Sequence, residues 1–321
     1  MTFTSDVSEK ILKKRNIKTT SLNAYLLNLQ KLMKLLNINP TVENLDKALK
    51  DYNNIMSVLE DKKPSTIRNY LASIVVYLSL DDKRKDLVDE YRKLMDKFQK
   101  QNNESISNNK KTDSQMKNWT SLATLKNILK KYKKELDSSG ALKKDELSKK
   151  EFDLLQKWVV GNLYIGDDEN PPLRNDFSMG IINFADYQRL PEKDKKNNNY
   201  LVIKNKSNKF FSLGEYKTSD KFGIKEIKVG KNLNKVLNIW LKYNKSPYLI
   251  LNSKGEKISP NSLTKLLIKV FEPSGKKISS SMLRHIYVTE KFPPQTEEKI
   301  ELAEKMLHSK QMQSDIYAKT D

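Results

Sequence analysis

Apolar residues recur at helical spacing along the first third of the chain. Over 21–36, Leu22, Tyr25, Leu26, Leu29, Leu32, Met33 and Leu36 fall at i, i+3 and i+4 on one face, which predicts an amphipathic helix. Pro64, Ser65 and Thr66 form a helix-start signal, followed by a stripe of Ile67, Tyr70, Leu71, Ile74, Val75 and Leu78. Leu87, Tyr91, Leu94, Met95 and Phe98 make a third stripe. All three read as core packing. From Gln99 to Ser114 the periodicity is lost and the chain turns polar, which predicts a linker. Helical spacing resumes at 120–132 and 152–164. The period then shortens: 200–203, 209–216 and 224–229 are expected to be strands, with SNK and TSDKFG as turns. Helices are expected again at 233–243, 262–271, 281–291 and 297–308. The pattern predicts a mainly α protein with a small antiparallel β-sheet in its C-terminal domain. The expected boundaries are a helical domain at 1–98, a linker at 99–115 and a mixed domain at 116–321.

Charge narrows the partner. The 321 residues carry 60 Lys plus Arg against 40 Asp plus Glu, a formal net charge of +20. Such a surplus points to a polyanion, either nucleic acid or an anionic membrane surface. No apolar run approaches the ~20 residues of a membrane span, so no membrane association is expected. The first ten residues lack a hydrophobic signal core, and the expected location is intracellular. The absence of cysteine excludes disulfides, zinc fingers, iron–sulfur clusters and thiol catalysis. His285 and His308 are the only histidines, and neither a Walker A loop nor GxGxxG occurs, so no metal or nucleotide cofactor is expected. Only seven of the 60 basic residues are arginine. In so lysine-rich a chain, each arginine is a candidate for work that needs a planar, two-pronged cation.

Four segments carry a joint pattern: PPLRNDF (171–177), EYKTSDKFGIKEIKV (215–229), SSMLRHIYVT (280–289) and MLHSKQMQSDIYAK (306–319). In these the sequence resembles the tyrosine recombinase (phage-type integrase) family. That family's hallmark is an early arginine, a lysine on a β-hairpin, an HxxR helix, a His or Trp, and a nucleophilic tyrosine near the C-terminus. Arg174, Lys217, Arg284, His308 and Tyr317 match these positions in order, Tyr317 lying nine residues after His308. PLRND, KNWTSL and KTSDKFGIK are most similar to integrases of giant viruses, virophages and Maverick-type elements. The resemblance implies a helical core-binding domain followed by an α+β catalytic domain, clamped around double-stranded DNA. It also implies a homotetramer on two DNA sites and a 3′-phosphotyrosyl intermediate made without metal or ATP. Only Ala318 to Asp321 follow the tyrosine, so a C-terminal segment docking on a neighbouring subunit is expected to be short or absent.

The chemistry is coherent in itself. A tyrosyl phosphodiester conserves the energy of the bond it replaces. The charge of a pentavalent phosphorane, in a site without metal, calls for fixed cations, and bidentate arginines suit it. A lysine can protonate the departing 5′-oxygen. Among 53 lysines, Lys204 and Lys206 compete with Lys217 for that role. One position departs from the family pattern: Ser281 stands where HxxR has histidine. It shares a helical face with Arg284 and can reach a phosphate oxygen, but it cannot act as a base as imidazole does. His285 is turned about 100° away from Arg284 and is expected to pack. Two alternatives stay open: a type IB DNA topoisomerase with the same chemistry, and a DNA-binding protein of the same fold that no longer cuts.

Overall fold

The computed structural model describes residues 2–107, 111–291 and 305–306. His308 and Tyr317, and all but residues 305–306 of the helix expected at 297–308, lie outside the described residues. The chain divides into two compact units, Met1–Asn108 and Asn109–Asp321.

The first unit is helical: α1 (Phe3–Lys14), α2 (Thr19–Leu35), α3 (Val42–Ala48), α4 (Tyr52–Ser57), α5 (Pro64–Leu78) and α6 (Lys85–Ser107). Short polar residues start several of these helices, with the side chains of Thr2, Thr41 and Asp51 accepting from the amides of Ser5, Asn44 and Asn54. Asn37, at φ 54°, ends α2, and Ile38 N–H returns to the Met33 carbonyl at 3.0 Å. Pro64 opens α5, the central helix, whose residues from Ile67 to Leu78 are mostly buried against α2 and α6. The three stripes read from the sequence form this core. The linker expected at 99–115 is different. The helix α6 continues to Ser107, and α7 (Asp113–Asn118) follows, started by a Thr112–Gln115 capping box. Loss of the apolar stripe after Phe98 marks loss of core contact, while Lys, Gln and Glu keep the solvated turns helical.

The second unit continues with α8 (Leu122–Ser138), α9 (Lys149–Ile165), β1 (Gly180–Asn183), α10 (Phe184–Arg189), α11 (Glu192–Asn197), β2 (Asn199–Ile203), β3 (Lys209–Leu213), α12 (Ser219–Phe222), β4 (Lys225–Lys228), α13 (Lys231–Tyr243), α14 (Pro260–Val270) and α15 (Ser280–Lys291). The sheet order is β1-β2-β3-β4; β2, β3 and β4 pair antiparallel, and β1 joins β2 in parallel. The sheet is therefore mixed, which corrects the purely antiparallel expectation. The missed strand, Gly180–Asn183, is too short to carry a period, and its last residue already caps α10 by accepting from Asp186 N–H. On one face of the sheet Leu201, Phe211 and Leu213 join the main core with α8, α9, α13, α14 and α15. On the other face Val202, Phe210 and Tyr187 form a small cluster under α10. Both faces are covered, so all five residues of β3 are buried.

Candidate active site

Three polypeptide segments of the second unit meet at one end of the sheet. The first is the loop between α9 and β1, which carries Leu173, Arg174, Asn175 and Asp176. Several elements fix it. Tyr164 of α9 donates its hydroxyl to the Arg174 carbonyl at 2.8 Å. Asn175 donates to Thr264 Oγ1 on α14 at 2.8 Å, and Ser178 Oγ donates to the Ile258 carbonyl at 2.5 Å. The Arg174 amide donates to Asp176 Oδ2 at 3.1 Å, which folds the loop back on itself.

The second segment is α15, anchored at both ends. The Ser279 hydroxyl accepts from the amide of Met282. At the far end both Glu290 carboxylate oxygens accept from Leu122 N–H at 3.1 Å, at the start of α8. Tyr287 donates to the Asp168 carbonyl, and Lys291 pairs with the Asp168 carboxylate at 3.0 Å. Held in that rotation, α15 buries Arg284, which is 4% exposed and donates Nη1 to the Leu173 carbonyl at 3.0 Å. Arg284 thus reaches the residue immediately before Arg174.

Asp176 lies within the electrostatic reach of both guanidiniums. Burial pushes its carboxyl above the usual carboxylate range, while the charges of Arg174 and Arg284 oppose that shift without cancelling it. The same carboxylate raises the Tyr216 phenol, where burial is the larger cause. Tyr216 immediately precedes Lys217 in the sequence.

The third segment is the loop from β3 to β4. Gly214 leaves β3 so close to α11 that a Cβ there would meet the Lys195 carbonyl oxygen at 1.8 Å. The loop is closed by Tyr216 Oη donating to the Gly223 carbonyl at 2.7 Å, and Lys217 is exposed upon it. Asn199, the first residue of β2 and buried, ties this loop to the arginine loop. Its Nδ2 donates to the Asp176 carbonyl at 3.2 Å and to the Glu215 carbonyl at 2.8 Å, and its Oδ1 accepts from Glu215 N–H at 2.9 Å.

Register separates the three candidate lysines. Asn199 pairs with Leu213 at the arginine end of the sheet, and Ile203 pairs with Lys209 at the opposite end. Lys204 and Lys206 lie in the β2–β3 turn at that opposite end, with the Lys204 ammonium 4.4 Å from the Phe184 ring centroid. The Lys206 carbonyl accepts from the buried Lys209 at 2.8 Å. Lys217 therefore shares an end with Arg174 and Arg284, and its two competitors do not.

No family model and no curated protein matches this chain. Among solved structures it is similar to the crystal structure of XerA recombinase. The two share 11% identity over 99% of this chain and 94% of that one, with a TM-score of 0.38. A likeness that loose carries no argument about activity.

Ser281 is exposed in the first turn of α15, and His285 is buried on its inner side. Asp176 and Asn199 were not singled out by the sequence pattern. Asp176 stands inside the quoted PPLRNDF segment, and a carboxylate two residues from a candidate arginine was its signal; Asn199 had none. Among the described residues no three His, Cys, Asp or Glu are grouped to hold a metal ion, and no helix is long and apolar enough to cross a membrane.

Proposed function

We propose that this protein is a tyrosine-type DNA strand transferase, a site-specific recombinase or integrase that cuts and rejoins duplex DNA without metal or ATP. The observation that carries the reading is the meeting of Arg174, Arg284 and the Lys217 hairpin around Asp176 and Asn199. Two guanidiniums beside a polarising carboxylate suit the non-bridging oxygens of a phosphorane, where fixed donors lower the barrier. Tyr317 Oη attacks phosphorus and passes its proton to solvent as the O–P bond forms. The bond to the 5′-oxygen breaks, and Lys217 delivers the proton that oxygen needs, leaving a 3′-phosphotyrosyl link and a free 5′-hydroxyl. Lys217 is reprotonated from solvent after it has acted. His308 donates to a non-bridging oxygen. A 5′-hydroxyl of the same or another strand reverses the steps. With Ser281 in the histidine position of HxxR, His308 is the one imidazole assigned to the site.

In this reading the lysine surplus serves phosphate contacts, the working form is a homotetramer on two DNA sites, and the protein acts wherever that DNA resides. The motifs PLRND and KTSDKFGIK favour a viral or mobile-element integrase. A nicked suicide duplex tests the reaction class directly. The wild type is expected to form a covalent adduct stable to SDS, and Tyr317→Phe to bind the duplex but form none. An adduct that persists in Tyr317→Phe would move the nucleophile elsewhere. Plasmid relaxation at arbitrary sequence by a monomer would instead identify a topoisomerase.

A further inference from the structure

We propose that Asn199 is a positioning residue that sets where Lys217 stands relative to the two arginines. This rests on the reading of Lys217 as the acid for the leaving group. The arginine loop has other supports: Tyr164, the Asn175–Thr264 and Ser178–Ile258 hydrogen bonds, and Arg284 on the Leu173 carbonyl. The lysine hairpin meets that loop through the Asn199 side chain. Beyond Leu213 its backbone is held by the Gly214 amide on the Asn198 carbonyl at 3.1 Å and by two bonds at Glu215, both made by the Asn199 side chain. The Tyr216–Gly223 bond closes the hairpin on itself, and the Tyr216 ring packs in the main core without fixing the backbone at Glu215.

Asn199 is the residue that can serve both loops, because its carboxamide offers two donors and an acceptor from one planar group. It satisfies the Asp176 carbonyl with one amide hydrogen, and the carbonyl and amide of Glu215 with the rest. Removing the donors loosens the hairpin at Glu215, next to Tyr216 and Lys217, while the arginine loop keeps its other supports. The expected defect is therefore that of a displaced lysine, not of a displaced arginine.

Asn199→Asp is the decisive variant, since it keeps the shape and the Oδ1 acceptor but sets an oxygen against two carbonyls. Adduct formation is measured with an ordinary suicide duplex and with one carrying sulfur in place of the bridging 5′-oxygen, a leaving group that departs without a proton. Asn199→Asp is expected to slow the ordinary substrate about 10- to 100-fold, the scale of an acid moved by an ångström. The sulfur substrate is expected to return to near the wild-type rate, as it does for Lys217→Ala. Asn244→Asp serves as the control for general damage. Asn244 is also a buried asparagine that bridges backbone, through Tyr248 and Ser246, away from the site. It is expected to lower the melting temperature with no sulfur-specific change. Equal slowing of Asn199→Asp on both substrates, with Lys217→Ala still rescued, would overturn the positioning role and leave the reaction class standing. A wild type that forms no adduct with either substrate would overturn both.

Discussion

At the residue scale, charge and geometry separate cleanly at Arg174 and Arg284. Each can be replaced by lysine with the formal charge kept. The loss is the planar pair of donors and, for Arg284, the bond to the Leu173 carbonyl at 3.0 Å. Arg174→Lys and Arg284→Lys are expected to bind duplex DNA within about 2-fold of wild type while cleaving about 10² to 10³-fold more slowly, the usual cost of a lost oxyanion donor. Sulfur at the 5′ position is not expected to rescue either one, because their defect lies at the non-bridging oxygens. Single-turnover adduct formation checks this, and a sulfur-rescued Arg284→Lys would assign the arginine to the leaving group instead. The order of arginine, lysine and arginine was legible in the sequence because each stood in a recognisable local segment. Asp176 and Asn199 were not, since their work is hydrogen bonds and fields across separations of 16 and 23 residues. No local pattern records such bonds.

At the element scale, legibility followed length. The helices α2, α5, α6, α8, α9, α13, α14 and α15 carry apolar stripes long enough to show a 3.6-residue period, and each was expected within a few residues of its bounds, save that α6 runs on to Ser107 and α8 to Ser138. The six-residue helices α4, α7, α10 and α11 are too short for a period; the first three start at the side-chain caps Asp51, Thr112 and Asn183, and α11 follows Pro191 with no side-chain cap. The end of β3 was missed for another reason. Its apolar run invites extension to Tyr216, but the tight passage of Gly214 beside the Lys195 carbonyl turns the chain out. Gly214→Ala is therefore expected to cost about 1–3 kcal/mol, as overpacked sites do, and to slow cleavage in a sulfur-rescued manner by moving the Lys217 hairpin. Denaturant unfolding with the two suicide substrates checks both effects; an unchanged stability would mean the close approach relaxes freely. In the first unit, Arg84 grips Asp46 through two bonds of 2.5 and 2.9 Å, and Tyr77 adds a third at 2.8 Å. Burial pushes the Asp46 carboxyl up, but these donors outweigh it and hold it below the ordinary range. A carboxyl depressed in the folded state stabilises above its unfolded pKa of about 4, and that contribution fades as pH falls below it. Asp46→Asn is thus expected to cost about 1 kcal/mol at pH 7, the group being partly exposed, and nearly nothing at pH 2. A gap that persists at pH 2 would make the loss one of shape and not of charge.

At the scale of the whole molecule, the surplus of 20 positive charges and the two guanidiniums at the sheet end answer different questions. On the proposed function, the surplus, most of it drawn from the 53 lysines, acts through phosphate neutralisation and the release of counterions, and so governs how tightly DNA is held at a given salt concentration. On the same proposed function, the two arginines act on a phosphate already in place, and Arg284 is buried, where bulk ions screen weakly. Binding and chemistry should therefore respond differently to salt. If the protein neutralises about 6–10 phosphates, its affinity for duplex DNA falls about 10³ to 10⁵-fold between 50 and 200 mM salt. Tyr317→Phe and Arg174→Lys should show the same slope, since neither changes the lysine surface. The single-turnover rate of adduct formation, measured with protein saturating at each salt concentration, should change by less than about 3-fold over that range, because the cations that meet the phosphorane are built in and pre-oriented. The same rate should withstand EDTA. A rate that falls in parallel with affinity would mean that mobile surface lysines, and not Arg174 and Arg284, stabilise the transition state; a strict need for Mg²⁺ would replace the tyrosyl mechanism with a metal-assisted one.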